Sequence, residues 1–299
     1  MIHILVTGAN GQVGSELQYL SSQYPEFQFT FTDYTELDIT REQVVNNYFK
    51  AISFDYCINC AAYTSVDQAE NEVQKAQKIN VTGVKNLATA CQINATHLFH
   101  LSTDYVYHNH QNRPIVESDK TSPKSVYGKT KLEGERIAQH ALSSTTIIRT
   151  SWVYSSFGKN FVKTMLRLSR ERSELSVVFD QIGTPTYARA LANAILDILR
   201  KAERENLQTT ILSGIFHYSN EGVTSWYDFT KAIFELENIS TPVVPIETKD
   251  YPTPAARPPF SLLNKAKIKA TFDLEIPHWR ESLKVCLKEM KQLKMSRLV

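Results

Sequence analysis

Tyr127 and Lys131 stand four residues apart in Tyr-Gly-Lys-Thr-Lys, a spacing that puts both on one face of a helix. An ammonium beside a phenol favours the phenolate. Bringing a tyrosine from its ordinary pKa toward neutrality takes about 4 kcal/mol of differential stabilisation, and Lys131 is the expected source of much of it. Such a pair can hand a proton to a carbonyl oxygen undergoing reduction. Ser102 and Thr103 close the apolar run from His97 to Leu101. Parallel sheets bind ligands at such strand ends, so Thr103 can donate to the same oxygen.

The second chemical feature is Thr-Gly-Ala-Asn-Gly-Gln-Val-Gly at residues 7–14, lying between an apolar run and a helical pattern. Gly8 permits a tight turn, Gly11 lets backbone approach a pyrophosphate, and Gly14 lets helix and strand pack closely. The helix N-terminus then offers free N–H groups and a positive dipole end to phosphate. Asp33 follows Gly8 by 25 residues, at the end of a second apolar run. A carboxylate there suits ribose hydroxyls and repels a 2′-phosphate, a bias toward NADH over NADPH; a simple turn-forming role fits Asp33 as well.

These groups need a scaffold, and the apolar pattern supplies one. Strands are predicted over Ile2–Val6, Phe27–Thr32, Tyr56–Asn59, His97–Leu101 and Thr145–Arg149. Helices are predicted through Leu17 and Leu20, after a Thr40/Gln43 capping box, as one long unit from Ala69 to Cys91, and over Tyr127–Ala141. Strand–helix alternation of this kind implies an α/β protein, a Rossmann-type doubly wound parallel sheet. Residues 1–150 are read as the NAD(P)-binding domain. Residues 151–299 are read as a smaller, mixed α/β, mainly substrate-binding region, with helices over Asn160–Arg172, Ala188–Ala202 and Ser225–Leu236. A short strand over Gly214–Tyr218 and a final helix from His278 complete it, and its chain can re-enter the sheet. The stretch Thr241–Pro259 holds six of the eleven prolines and is predicted as extended loop.

Composition narrows the function. A chain of 299 residues with 33 basic and 31 acidic side chains carries a formal charge of +2, which argues against a nucleic-acid footprint. Apolar stretches of roughly five to eight residues are too short to span a bilayer. The N-terminal run lacks a basic n-region and cleavage site, and four cysteines are too few for a disulfide scaffold. A cytoplasmic enzyme with free thiols, acting on a small molecule and not on nucleic acid or membrane, is the expectation.

The segments TGANGQVG (7–14), DYTELDIT (33–40), NCAAYTSVDQAE (59–70), LSTDYVY (101–107), YGKTKLEGE (127–135) and IIRTSWVY (147–154) resemble the extended short-chain dehydrogenase/reductases that act on nucleotide sugars. KNFVKTML (159–166), DQIGTPT (180–186), GIFHYSNEGVTSWYDF (214–229) and ARPPFSLL (256–263) extend the resemblance to essentially the whole chain. It implies reduction of the 4-keto group of dTDP-4-dehydro-β-L-rhamnose to dTDP-β-L-rhamnose with NADH or NADPH. Tyr127, Lys131 and Thr103 would be catalytic, with Lys131 also holding the nicotinamide ribose. Gly11, Gln12 and Val13 would meet the pyrophosphate, Asp38 and Ile39 the adenine, and Ala62, Tyr63 and Thr64 the nicotinamide half. Thr103, Asp104 and Trp152 would meet the substrate, although Trp152 also reads as a core aromatic. Asn80 matches an asparagine common in the superfamily and reads equally as structural.

Part of the family holds a divalent ion, such as Mg²⁺, between two subunits. Glu16 and Glu289 match its ligands, but Arg189 stands where a third acid is expected, which argues against metal-dependent dimerisation. A monomer or a homodimer is compatible with the sequence. Tyr107 replaces the usual Phe. A dehydratase or epimerase is the nearest rival, yet related dehydratases follow this Thr with Asp-Glu and here Thr103-Asp104-Tyr105 lacks the Glu. A non-catalytic subunit, similar to the beta subunit of methionine adenosyltransferase, is disfavoured by the retained Tyr127, Lys131 and Thr103. Cys57 and Cys60 are read as strand thiols, because positions i and i+3 face opposite sides. His108 and His110 are read as surface loop, and the lysines of 284–294 as a solvated helix face.

Overall fold

A computed structural model describes residues 1–108 and 112–295. In the first half, β1 (Ile2–Thr7), β2 (Phe27–Thr32), β3 (Tyr56–Asn59), β4 (His97–Thr103) and β5 (Thr145–Thr150) alternate with helices. The second half adds β6 (Val153–Tyr154), β7 (Leu175–Val178), β8 (Ile182–Gly183), β9 (Thr186–Tyr187), β10 (Gly214–His217), β11 (Thr224–Ser225) and β12 (Val243–Ile246). The main sheet has the order β10-β5-β4-β3-β1-β2, every neighbouring pair parallel. β10 thus brings the second half of the chain back to the sheet edge. Strand order reverses between β1 and β3, and the crevice outside the carboxyl ends of those strands is where such sheets take ligands.

Helices cover both faces because the inner strands are apolar on both; β3 is buried at all four residues. On one face Ile4, Val6, Leu17, Leu20, Phe99, Leu191, Ile195 and Leu199 form a core between the sheet and the helices Gln12–Leu20 and Ala188–Glu205. On the other face Leu5, Ile39, Val45, Phe49, Val84, Leu87 and Leu98 pack beneath the helices Glu42–Ala51 and Val84–Ile93. A separate core around Tyr154, Val162, Phe229, Ile233, Trp279 and Leu283 unites the helices Phe161–Glu171, Trp226–Leu236 and Trp279–Met295.

Three local expectations are corrected. The single helix expected from Ala69 to Cys91 is broken into Val66–Ala69, Val73–Gln77, a π-helical turn at Lys78–Gly83 and Val84–Ile93. The π turn holds Asn80, whose side chain is bonded away from the helix, and such turns mark places where a side chain has a task. Thr40 does not cap the following helix. Its N–H and hydroxyl are both bound by Asp38 Oδ1, at 3.0 and 2.7 Å, and the helix starts at Glu42 after Arg41 without a side-chain cap. The proline-rich stretch contains β12, which pairs in parallel with β7. Pro245 fits it because an edge strand can lack one N–H.

The four cysteines are free thiols. No helix among the described residues is long and apolar enough to cross a membrane. Lys284, Lys288 and Lys291 lie on an exposed face. Asn109, His110 and Gln111 fall outside the described residues.

Candidate active site

The glycine loop leaves β1 at Thr7 and turns at Gly8, whose φ of 66° lies in the left-handed region. A Cβ on Gly8 would sit 2.6 Å from the Ala61 backbone nitrogen, so the loops after β1 and β3 touch there. A Cβ on Gly14 would sit 2.6 Å from Ala9 Cα. These contacts require glycine at both positions, and they shape a cradle of bare backbone. Gly11 caps the helix Gln12–Leu20 with no side chain bonded to its first turn, which leaves amide donors facing the crevice. The Val13 side chain points into the core, so only its backbone is free for a ligand. Gln12 is fixed across the crevice, donating to Val153 O at 3.3 Å and accepting from Asn160 Nδ2 at 3.0 Å.

Asp33 ends β2 beside this cradle. Its carboxylate accepts from Asn10 N at 2.9 Å and from Tyr34 N at 2.7 Å. Oδ2 holds the glycine loop and Oδ1 its own turn, so Asp33 is at once a turn-setting group and a negative charge at the cradle's rim. Ile39 is buried against Gly83, and its carbonyl accepts from Asn86 Nδ2 at 2.9 Å. Asp38 is tied to Thr40 and so fixes the bend of that segment.

The loop after β3 carries Ala62, Tyr63 and Thr64. Asn80 clamps it: Oδ1 accepts from Tyr63 N at 2.8 Å, while Nδ2 donates to Tyr63 O at 3.2 Å and Thr130 Oγ1 at 3.1 Å. Thr130 lies on the helix Val126–Ala141, between Tyr127 and Lys131. The π-turn asparagine therefore locks this loop against the helix of the Tyr–Lys pair, which gives Asn80 a structural task at the site.

Thr103, Asp104 and Tyr127 converge at the carboxyl end of β4. Thr103 donates to Asp104 Oδ1 at 3.0 Å, and its hydroxyl bonds the Tyr127 phenol. Tyr105 stacks edge-on against Tyr127 with ring centroids 5.4 Å apart. Asp104 is buried and its Oδ2 has no hydrogen-bond partner. Burial pushes the Asp104 carboxyl up to about 6, with the nearby hydroxyls of Ser261 and Thr103 pulling it partly back. An unpaired buried carboxylate oxygen is costly, and it is the expected price of a group that meets hydroxyls on a ligand.

The Tyr–Lys relationship is corrected. Lys131 Nζ is buried against β4, where it donates to Leu101 O at 2.6 Å, with His100 Nε2 3.4 Å away. Tyr127 is not lowered by it. Burial, followed by the charge of Asp104, pushes the phenol up to about 12, with the Thr103 hydroxyl offsetting part. The helical spacing puts both side chains on one face, but Lys131 is long enough to reach the Leu101 carbonyl on β4 instead.

Trp152 follows β5 with a φ of 50°, a strained conformation for a bulky residue. Its ring lies flat on Trp226, centroids 3.6 Å apart, and its edge abuts Gly183, which also touches Ser261. Through Ser261 it is connected to Asp104. Trp152 is therefore both packed and half-exposed at the site.

Several contributors were not singled out from sequence. Glu135 and Arg149 form a buried pair at 2.6 Å, with Ser102 donating to Glu135 and Arg149 donating to Tyr107 Oη at 2.5 Å. Tyr107 continues to His217 Nε2 at 2.8 Å, a bond that Phe could not make. An arginine inside the apolar strand β5 was the available signal. Arg257 grips Asp67 with two bonds, 2.8 and 3.1 Å, and ties the proline-rich stretch across to the helix after β3.

A divalent ion does not fit at Glu16 and Glu289. Arg189 Nε donates to Glu16 Oε2 at 2.7 Å and its Nη1 to Glu289, while Ser155 donates to Glu16 Oε1 at 2.6 Å. The guanidinium occupies the space between the carboxylates, and a cation beside it would meet like charge. Among the described residues no group of three His, Cys, Asp or Glu side chains could hold an ion.

The family described as RmlD substrate binding domain matches residues 2–292. The dTDP-4-dehydrorhamnose reductase of Aggregatibacter actinomycetemcomitans is 42% identical over 291 residues, covering 95% of this chain and 98% of its own. This chain belongs to the dTDP-4-dehydrorhamnose reductase family. A crystal structure of the family from Clostridium acetobutylicum shares 40% identity at a TM-score of 0.90, over 97% of this chain and 100% of that one. The Bacillus anthracis reductase, 37% identical with a TM-score of 0.90 and the same coverage, was solved in complex with NADP. The glycine cradle described above is the part of this family member that suits such a dinucleotide.

Proposed function

We propose that this chain reduces the 4-keto group of dTDP-4-dehydro-β-L-rhamnose to dTDP-β-L-rhamnose with NADPH or NADH, the last step in making that nucleotide sugar. The observation that carries the reading is the convergence of Thr103, Asp104 and Tyr127 at the end of β4, beside a cradle that only glycine can form. The bound reduced nicotinamide supplies the hydride to sugar carbon 4.

The chain's own residues supply the rest. Gly8, Gly11 and Gly14 with the backbone of Gln12 and Val13 would hold the pyrophosphate. Asp33, Asp38 and Ile39 would line the adenosine side, Ala62, Tyr63 and Thr64 the nicotinamide side, and Lys131 the nicotinamide ribose. Tyr127 is protonated at neutral pH and so holds the proton that the reduction consumes. Its proton passes to the carbonyl oxygen as carbon 4 gains hydride, so the ketone becomes a secondary alcohol and the tyrosine a phenolate. Thr103 would donate to the same oxygen, which is worth most in a buried site. Asp104 would accept from a sugar hydroxyl through its unpartnered Oδ2, and Trp152 would form an apolar wall.

Residues 1–150 would chiefly serve the dinucleotide and residues 151–299 the sugar nucleotide. Tyr105, a phenol packed edge-on against Tyr127, stands where a dehydratase needs a second acid, which disfavours that rival. Free thiols support a cytoplasmic setting. The test is an NADPH and NADH oxidation assay with dTDP-4-dehydro-β-L-rhamnose and NMR of the product. The expected result is one dinucleotide oxidised per dTDP-β-L-rhamnose formed; conversion of the ketosugar without net oxidation would refute the reading.

A further inference from the structure

Beneath the site, a line of buried polar groups runs from β1 to Lys131. The Thr7 hydroxyl and the Ala61 amide both donate to Asn59 Oδ1, at 2.8 and 3.0 Å. A backbone N–H can only donate, so the oxygen of Asn59 must face Ala61 and its Nδ2 must face the other way. Nδ2 lies 3.0 Å from His100 Nδ1. An amide NH₂ is also only a donor, so Nδ1 must accept and cannot carry hydrogen. An imidazolium would set N–H against N–H at that contact. His100 is fully buried, and burial together with the charge of Lys131 holds its pKa well below the ordinary range. The ring is therefore neutral with its single proton on Nε2, and Nε2 lies 3.4 Å from Lys131 Nζ.

We infer that His100 is a positioning residue for Lys131: the sequence of bonds from Ala61 through Asn59 fixes its tautomer and aims an imidazole N–H at Nζ, weakening the hold of the lysine on its third proton in the free enzyme. An amine has a lone pair to accept from Nε2–H while one of its hydrogens goes to Leu101 O at 2.6 Å. An ammonium has three donors and no acceptor, and one would meet the ring proton. The other charged or titratable groups around Nζ make no bond to it. Glu135, on the same helix, favours the ammonium, but its carboxylate is already held by Arg149 and Ser102. Cys60, from the loop after β3, is kept a thiol by burial. Burial is the largest cause that brings Lys131 down to about 8. Such a lysine can take up a proton near neutrality, which an ordinary lysine cannot.

The inference matters to catalysis only if the reading of Lys131 above is right, so its test does not use the ketosugar. Wild-type protein is labelled with ¹⁵N-histidine, and His100 is assigned by the signal lost in His100→Gln. Long-range proton–nitrogen spectra at neutral pH are expected to show protonated Nε2 and bare Nδ1; the opposite tautomer or an imidazolium overturns the inference. The second measurement is NADPH affinity against pH in wild type and His100→Leu, whose side chain has no N–H to aim at Nζ. The midpoint is expected to move up by about one unit, a tenfold change in the proton equilibrium. A merely structural histidine would weaken binding at all pH values and leave the midpoint where it was, which also overturns it.

Discussion

The Thr103 hydroxyl donates to Asp104 Oδ1 at 3.0 Å, and Thr103 Oγ1 accepts from Tyr105 N–H at 3.2 Å. Threonine and aspartate are thus a unit, built at the point where β4 stops and a short 3₁₀ turn begins. To donate to a substrate oxygen, Thr103 must rotate its proton away from Asp104, which the protein permits without moving backbone.

Replacing Thr103 with Val keeps the shape and removes the hydroxyl. Turnover is expected to fall by about 10² to 10³-fold, the range for one lost donor to a developing oxyanion. Steady-state kinetics with the ketosugar checks this, and an unchanged kcat would reduce Thr103 to a structural cap.

Asp104 gives a stability prediction with a defined sign. Its carboxyl is raised from 3.8 to about 6 by burial. A raised group adds its relative stability below its unfolded pKa and loses it as pH rises through the folded value. Above about pH 6 the charged side chain therefore costs the fold about 3 kcal/mol at most. Asp104→Asn should be more stable than wild type in urea at alkaline pH, with the advantage vanishing in acid, and should turn over more slowly. Equal urea midpoints across that pH range would contradict the burial argument.

Arg189 bridges two carboxylates at once, those of Glu16 and Glu289. Arg189→Met would leave Glu16 buried without its cation and should destabilise the protein by about 3–5 kcal/mol. Chelation of divalent ions should leave wild-type melting and activity unchanged. A drop in either on adding chelator would mean that an ion does bind, and the guanidinium is not its replacement.

The main sheet was legible because its strands are apolar on both faces, and the glycine loop because its spacing joins a strand to a helix. The helix expected from Ala69 to Cys91 was not, since Asn80 abandons the helical ladder to hold Tyr63, a tertiary bond that periodicity cannot show. β12 was hidden by Pro245, which is tolerated only because that strand lies at an edge. At the site, residue types announced Tyr127 and Thr103, but not where Lys131 points. A long side chain can choose among several partners, and here the Leu101 carbonyl was chosen. Glu135 and Arg149 were missed because each looks like a surface charge until a partner is known.

The most direct test of the central claim is the kcat of Tyr127→Phe with the ketosugar and saturating NADPH, measured alongside its NADPH affinity. The account expects turnover to fall by about 10² to 10⁴-fold, the range for a positioned acid, with affinity nearly unchanged. Turnover close to wild type would show that the proton comes from another group.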